Sequence, residues 1–113
     1  MNILFLCTAN LHRSRTAEHY FRQIRQTNTY RSAGLSEKYC SQHQTTLCTV
    51  AMLEWADRVF VMEQAHLDRL REYSGEQFLP KVSLLNIPDE FQYMQLELIQ
   101  LLKLKASPSL TSA

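Results

Sequence analysis

Apolar residues follow two rhythms along this chain. Ile3-Leu4-Phe5-Leu6 is an unbroken apolar run closed by Cys7, which predicts a strand over Asn2–Cys7 buried on both faces. Ala17, Tyr20, Phe21 and Ile24 then recur at i, i+3, i+4 and i+7, predicting a helix that ends near Asn28. Thr29–Ala33 predicts a second, short strand closed by Gly34. Residues 35–45 are polar and weakly periodic and read as loop, with no clear helix start. From about Gln44, the residues Cys48, Ala51, Met52 and Trp55 return to helical spacing. Arg58–Met62 is β-branched and aromatic enough for a third strand, and Glu63–Tyr73 predicts a helix stopping near Gly75. Lys81–Ile87, between Pro80 and Pro88, reads as the fourth strand, and Met94–Lys105 as a leucine-rich helix.

Strand and helix thus alternate four times. That order predicts a single α/β domain, a three-layer sandwich with a four-stranded parallel sheet and helices on both faces. The domain is expected over residues 1–105, with 106–113 a flexible Ser/Thr/Pro tail. In such sheets ligands bind beyond the carboxyl ends of the strands, and Cys7 lies at the end of the first.

Composition narrows the function. The 113 residues suffice for one core. Twelve basic against eleven acidic residues give a formal charge of +1, so bulk charge suggests neither nucleic-acid nor membrane binding. No stretch approaches membrane-spanning length, and no basic leader or cleavage site is read after Met1-Asn2. Three cysteines, an odd number, fit reduced thiols in the cytoplasm better than a disulfide framework. Only Gly34 and Gly75 are glycines, which leaves out the glycine-rich nucleotide loops. A monomer is the plain expectation.

The candidate chemistry lies in Cys7-Thr8-Ala9-Asn10-Leu11-His12-Arg13-Ser14, between a strand and a helix. A short segment there leaves backbone N–H groups unpaired at a helix N-terminus, a site suited to phosphate or sulfate. Such a nest usually needs a positive φ, and Asn10 is the loop residue that best tolerates one. Cys7 would look into the concavity as the nucleophilic thiolate. The planar fork of Arg13 can hold two phosphate oxygens at once. The Ser14 hydroxyl can donate to the Cys7 sulfur. The competing reading is a buried structural cysteine, with Arg13 and Ser14 merely opening a helix. The preceding strand, Asn10, Ser14 and the following amphipathic helix together favour the functional one.

Cys7 through Ser14 resembles the phosphate loop of the low-molecular-weight protein tyrosine phosphatases. The likeness spans most of the chain and suggests a compact bacterial-type branch. Ala17-Glu18, Ser32-Ala33-Gly34 and the third-strand run Ala56–Glu63 are similar to stretches of that family, and Ile87–Met94 sits where it carries its acid loop. The resemblance implies a cysteine-dependent phosphomonoester hydrolase acting on phosphotyrosine proteins or small aryl phosphates through a phosphocysteine, without metal or cofactor. It implies Cys7 as nucleophile, Arg13 as phosphoryl clamp and Asp89 as general acid. Thr8, Ala9, Asn10, Leu11, His12 and Ser14 would form or support the phosphate-binding loop.

The chain also departs from the family. Pro88 precedes Asp89 and Glu90 follows it, so Glu90 and, more distantly, Asp57 remain alternatives for the acid. His12 stands where many members have a cysteine, Ala9 replaces a frequent Gly, and the segment after Gly34 is short and polar. Phe91 and Tyr93 are candidates for a substrate wall from the acid loop, or for core. His12 is open between a functional role, tuning Cys7 or contacting substrate, and none, whereas His19 and His66 read as solvent-facing helix residues and Trp55 as core. Cys40 and Cys48 raise a second enzyme class, a thioredoxin-linked arsenate reductase, although Cys48 lies on an apolar stripe and their spacing does not suit that pair. Cys40, His43 and Cys48 do not complete a zinc set. A third class is a non-catalytic phosphate-binding module.

Overall fold

A computed structural model describes residues 1–111, with the side chain of Thr111 left aside. Its strands are β1 (Asn2–Cys7), β2 (Thr29–Gly34), β3 (Arg58–Val61) and β4 (Val82–Leu84), all parallel, in the order β2-β1-β3-β4. The helices are α1 (Arg13–Ile24), α2 (Glu37–His43), α3 (Val50–Trp55), α4 (Gln64–Ser74) and α5 (Leu96–Thr111). A 3-10 turn, Leu79–Lys81, leads into β4.

Period-two alternation along β1 explains the two layers of helices. Ile3, Phe5 and Cys7 face a core shared with Ala17 and Phe21 of α1 and with Leu98, Leu102, Ala106 and Leu110 of α5. Leu4 and Leu6 face the opposite core, built with Met52 and Leu53 of α3 and Leu70 of α4. Phe5 stacks near Phe21, Tyr30 and Phe60, with ring centroids 5.7, 6.3 and 5.4 Å away. The central strand is therefore clamped on both sides, and its C-terminal residue is held where chain direction puts the site. No helix of the described residues is long and apolar enough to cross a membrane.

The structure changes five boundaries. Helix α1 ends at Ile24, before Asn28, and the hydroxyl of Tyr30 donates to the Arg25 carbonyl beyond it at 2.9 Å. Within the expected loop 35–45 lies α2, whose Ser36 N-cap accepts from the Tyr39 N–H at 3.2 Å and whose Gln44 closes it at φ 55°. Its single buried residue, Cys40, gives no apolar stripe to read. Helix α3 begins only at Val50, where Thr49 caps the Met52 N–H. Strand β4 stops at Leu84, because Asn86 turns at φ 55°, yet Leu85 and Ile87 still donate to Val61 and Met62 at 2.9 and 2.8 Å. Helix α5 runs past Lys105 to Thr111, anchored by buried Ala106 and Leu110. Ser112 and Ala113 of the expected tail lie outside the described residues.

Candidate active site

Six backbone steps separate the end of β1 from the start of α1, and Cys7 is buried at their base. Asn10 turns the loop at φ 54°, and its side chain holds the turn from inside. Its Nδ2 donates to Ser14 Oγ at 2.8 Å and Ser32 Oγ at 2.9 Å, while its Oδ1 accepts from the Thr46 N–H at 3.3 Å. Because Ser14 Oγ accepts from Asn10, its own proton is left for another partner. Cys7 Sγ lies 3.0 Å away and the Ala33 carbonyl 3.4 Å. Once Cys7 is a thiolate it can only accept, and Ser14 becomes the donor.

Arg13, the first residue of α1, is 2% exposed. A buried guanidinium needs compensation, and Nη1 finds it in Glu63 Oε1 and the Ile87 carbonyl, both at 2.8 Å. Asp89 Oδ1 stands 3.9 Å from Arg13 Nε, with its side chain two-thirds exposed. The Asn86 turn therefore does two things: it places Ile87 against Arg13 and swings Asp89 to the mouth of the site.

His66 corrects the sequence reading. It is 4% exposed rather than solvent-facing, because α4 packs its first turn against the loop. Its Nδ1 accepts from the Glu63 N–H at 3.0 Å and its Nε2 pairs with Thr8 Oγ1 at 2.9 Å. Burial first, then the nearby Arg13 charge, pulls its pKa down to about 4, against smaller opposing effects of Glu63 and Asp89. Nothing in the sequence marked it, since its two partners are 3 and 58 positions away.

A cleft of about 370 Å³ opens above Cys7. The loop residues Thr8, Ala9, Leu11, His12 and Arg13 form its floor, Asp89 its rim, and Tyr39 and His43 of α2 its far wall. Asn10 and Ser14 support that floor from beneath. His12 borders the cleft while its Nδ1 is buried with no hydrogen-bond partner among the described residues. Phe91 and Tyr93 are not among the lining residues. Phe91 packs against the core, and Tyr93 reaches His19 Nδ1 at 2.5 Å with Arg15 over its ring. Of the alternative acids, Glu90 does not line the cleft, and Asp57 caps the opposite end of the sheet by accepting from the Asn2 N–H at 2.7 Å. Cys40 is buried with its sulfur toward the Thr8 and Thr46 carbonyls. Burial of Cys48, with Cys40 close by, pushes its thiol up to about 12. Trp55 is half-buried beneath Arg31 rather than fully in the core. No cluster of three or more metal-ligating side chains occurs among the described residues.

Gly34 closes the construction. A Cβ there would lie 2.4 Å from Cys40 Sγ and 2.7 Å from the Thr8 carbonyl oxygen, so only glycine lets β2 pass this close beneath the loop.

The sequence model of the low molecular weight phosphotyrosine protein phosphatase family matches residues 2–54, which hold the loop but not Asp89. A comparison with curated proteins finds no match. Among solved structures, SP-PTP, the low molecular weight protein tyrosine phosphatase of Streptococcus pyogenes, superposes with a TM-score of 0.79 at 18% identity, covering 99% of this chain and 93% of that one. The tyrosine phosphatase Wzb of Escherichia coli K30, in complex with phosphate, gives 0.74 at 24% identity over 96% and 94% of the two chains. The YwlE arginine phosphatase of Geobacillus stearothermophilus gives 0.71 at 20% identity over 99% and 97%. These likenesses establish the fold over nearly the whole chain, and the sequence match covers the segment that carries the Cys7–Ser14 loop. Residues 2–54, a little under half of the chain, thus resemble the low molecular weight phosphotyrosine protein phosphatases in sequence, and nearly the whole chain shares the fold of the solved members.

Proposed function

We propose that this protein hydrolyses phosphomonoesters of the aryl class, phosphotyrosine foremost, through a phosphocysteine. The observation that carries the reading is the Cys7 sulfur, 3.0 Å from the Ser14 hydroxyl, at the base of a cleft bordered by buried Arg13 and the α1 N-terminus. In the first step Cys7 Sγ bonds phosphorus as the bond to the leaving oxygen breaks, and Asp89 gives that oxygen its proton. In the second, water attacks phosphorus, Asp89 takes the water's proton, and phosphate leaves as the Cys7 thiolate is restored. Arg13 and the loop amides carry the charge on the equatorial oxygens throughout. Ser14 stabilises the thiolate on departure.

Leu11 and Tyr39 present an apolar and an aromatic surface to a substrate ring. A phosphoarginine guanidinium would find a single carboxylate, Asp89, among the lining side chains. This favours tyrosine over arginine phosphate. Cys40 and Cys48 support a structural rather than a reductase role, since both are buried and the Cys48 thiol is pushed up to about 12. The site is complete within one chain, which supports a monomer, and the three free thiols support a reducing compartment.

The test is p-nitrophenyl phosphate, phosphotyrosine and phosphoarginine hydrolysis by wild type, Cys7→Ser and Asp89→Asn across pH. Loss of turnover in Cys7→Ser, slowing with an altered pH profile in Asp89→Asn, and preference for the aryl esters are expected. Wild-type protein that binds phosphate or vanadate without turnover would overturn the enzyme reading in favour of a binding module.

A further inference from the structure

We infer that His66 is a positioning residue: through the Thr8 hydroxyl it fixes the first peptides of the phosphate loop, so that a single turn of chain opening α4 holds both ends of that loop. The inference rests on the phosphatase reading. It adds a residue that lies outside the cleft and that the mechanism does not otherwise use.

Two side chains three positions apart make the clamp. Glu63 takes Arg13, at the loop's end, through a 2.8 Å ion pair. His66 takes Thr8, at its beginning, at 2.9 Å. The two are tied to each other, because His66 Nδ1 accepts from the Glu63 N–H at 3.0 Å. That bond decides the tautomer. With Nδ1 accepting, the proton of the neutral ring sits on Nε2, and Thr8 Oγ1 is the acceptor. The neutral form persists through ordinary assay conditions, since burial and the Arg13 charge outweigh Glu63 and Asp89.

Thr8 is held from its other side as well. Its carbonyl accepts from the N–H groups of Leu35 and Ser36, both at 3.0 Å. In a trans peptide the following N–H opposes the carbonyl, so the Ala9 N–H faces away from the β2–α2 turn. Thr8 and Ala9 both border the cleft above Cys7. Fixing Thr8 at its hydroxyl and its carbonyl therefore fixes the direction of a loop amide, one of the groups meant to meet phosphoryl oxygens. A helix cap needs only an acceptor for the Glu63 N–H. What histidine adds is the Nε2 donor.

That distinction supplies the test. The amide of Asn can stand in for Nδ1, accepting at the cap but falling short of Thr8. The amide of Gln can stand in for Nε2, donating to Thr8 while leaving the cap weakened. Turnover of p-nitrophenyl phosphate and inhibition by inorganic phosphate are measured for wild type, His66→Asn, His66→Gln, Thr8→Val and Thr8→Val/His66→Asn, with thermal melts of each. His66→Asn and Thr8→Val should each lower kcat/KM by about 10- to 100-fold and weaken phosphate inhibition, as misplacement of a binding group does. The double variant should be no worse than the worse single one, and His66→Gln should recover most of the turnover despite a lower melting temperature. If His66→Asn behaves as wild type, if His66→Gln is as damaged as His66→Asn, or if the two losses multiply, the positioning role is overturned. Thr8→Val leaves the cap intact and decides the matter where a His66 variant does not fold: wild-type turnover and phosphate inhibition there also overturn it. Absence of turnover in wild type would overturn the phosphatase reading instead. Direct titration with inorganic phosphate would then judge the clamp, with unchanged affinity in both single variants counting against it.

Discussion

The tightest constraint on the site is the passage of Gly34 beneath the loop, and Gly34→Ala is the substitution that probes it. The new methyl would meet Cys40 Sγ at 2.4 Å, the Thr8 carbonyl oxygen at 2.7 Å and the Ala9 carbonyl carbon at 3.0 Å. Cys40 is buried and short, so its sulfur has little room to retreat. The other two contacts are loop backbone. Restoring an ordinary separation of 3.4 Å from the 2.7 Å contact means moving Thr8 by about 0.7 Å. Gly34 itself is pinned by the Thr46 carbonyl and the Cys48 N–H, both at 2.8 Å, and sits opposite Cys7 in the sheet. The strain therefore falls on the loop. Overpacking of this kind costs about 1–3 kcal/mol, and a displacement approaching 1 Å in a binding group costs up to roughly 100-fold in rate. Urea melts and p-nitrophenyl phosphate kinetics should show Gly34→Ala both destabilised and at least about tenfold slower. Adding Cys40→Ala removes the sulfur but not the Thr8 contact, so it should recover part of the stability and little of the turnover. Gly34→Ala with wild-type kcat/KM would refute the close-approach argument. Full recovery of activity by Cys40→Ala would shift the cause from loop backbone to sulfur.

Three further outcomes are expected. Asn10→Ala loses both the left-handed tolerance at φ 54° and the bonds to Ser14, Ser32 and Thr46, so it should cost roughly 2–4 kcal/mol and disable turnover, whereas Asn10→Gly, which accepts the φ, should be the less destabilised of the two in urea melts. Folding lowers the His66 pKa to about 4, so the stability it contributes is present above its unfolded value near 6.5 and is lost as pH falls toward 4. Over that window wild type should lose about 3 kcal/mol more than His66→Gln in paired denaturation curves, and parallel curves would count against the buried neutral imidazole. Leu110→Ala, in the segment beyond Lys105, should cost about 2–4 kcal/mol, because Leu110 is 4% exposed against the α1–α5 core; an unchanged melt would mean that this turn is not docked.

Those expectations separate what a sequence can and cannot carry. Ile3 to Leu6 is legible because a strand buried on both faces has one simple signature, and its neighbours in the sheet follow from the strand–helix alternation. Helix α2 was not legible as an amphipathic element, since only Cys40 turns inward, yet its ends were written locally. Ser36 caps its start and Glu37 occupies its first turn, a pair that periodicity alone passes over. The boundary of β4 failed for the opposite reason. Its apolar run continues to Ile87 and still donates to β3, but the turn at Asn86 breaks the strand without breaking the hydrophobic pattern.

The Cys7–Ser14 loop is readable because its parts are contiguous: strand end, turn residue, cation and hydroxyl fall within eight positions, and backbone geometry alone brings them together. The rest of the site has no such economy. Tyr39 and His43 owe their place to a short helix with no stripe, Asp89 to a turn at Asn86, and the burial of Arg13 to a carboxylate fifty positions away. Phe91 and Tyr93 show what adjacency leaves open between wall and core, since the same loop that brings Asp89 to the rim lays one aromatic against the core and turns the other to His19. His66 is the sharpest case. On its own helix it is a polar residue without a local reason to be buried, and burial alone would favour replacing it by something apolar. Its burial makes sense only when both ring nitrogens have partners, one supplied by the cap of α4 and the other by the loop that follows β1. A buried histidine with both nitrogens engaged, one of them on the Cys7–Ser14 loop, is better explained by what it positions than by what it contributes to packing.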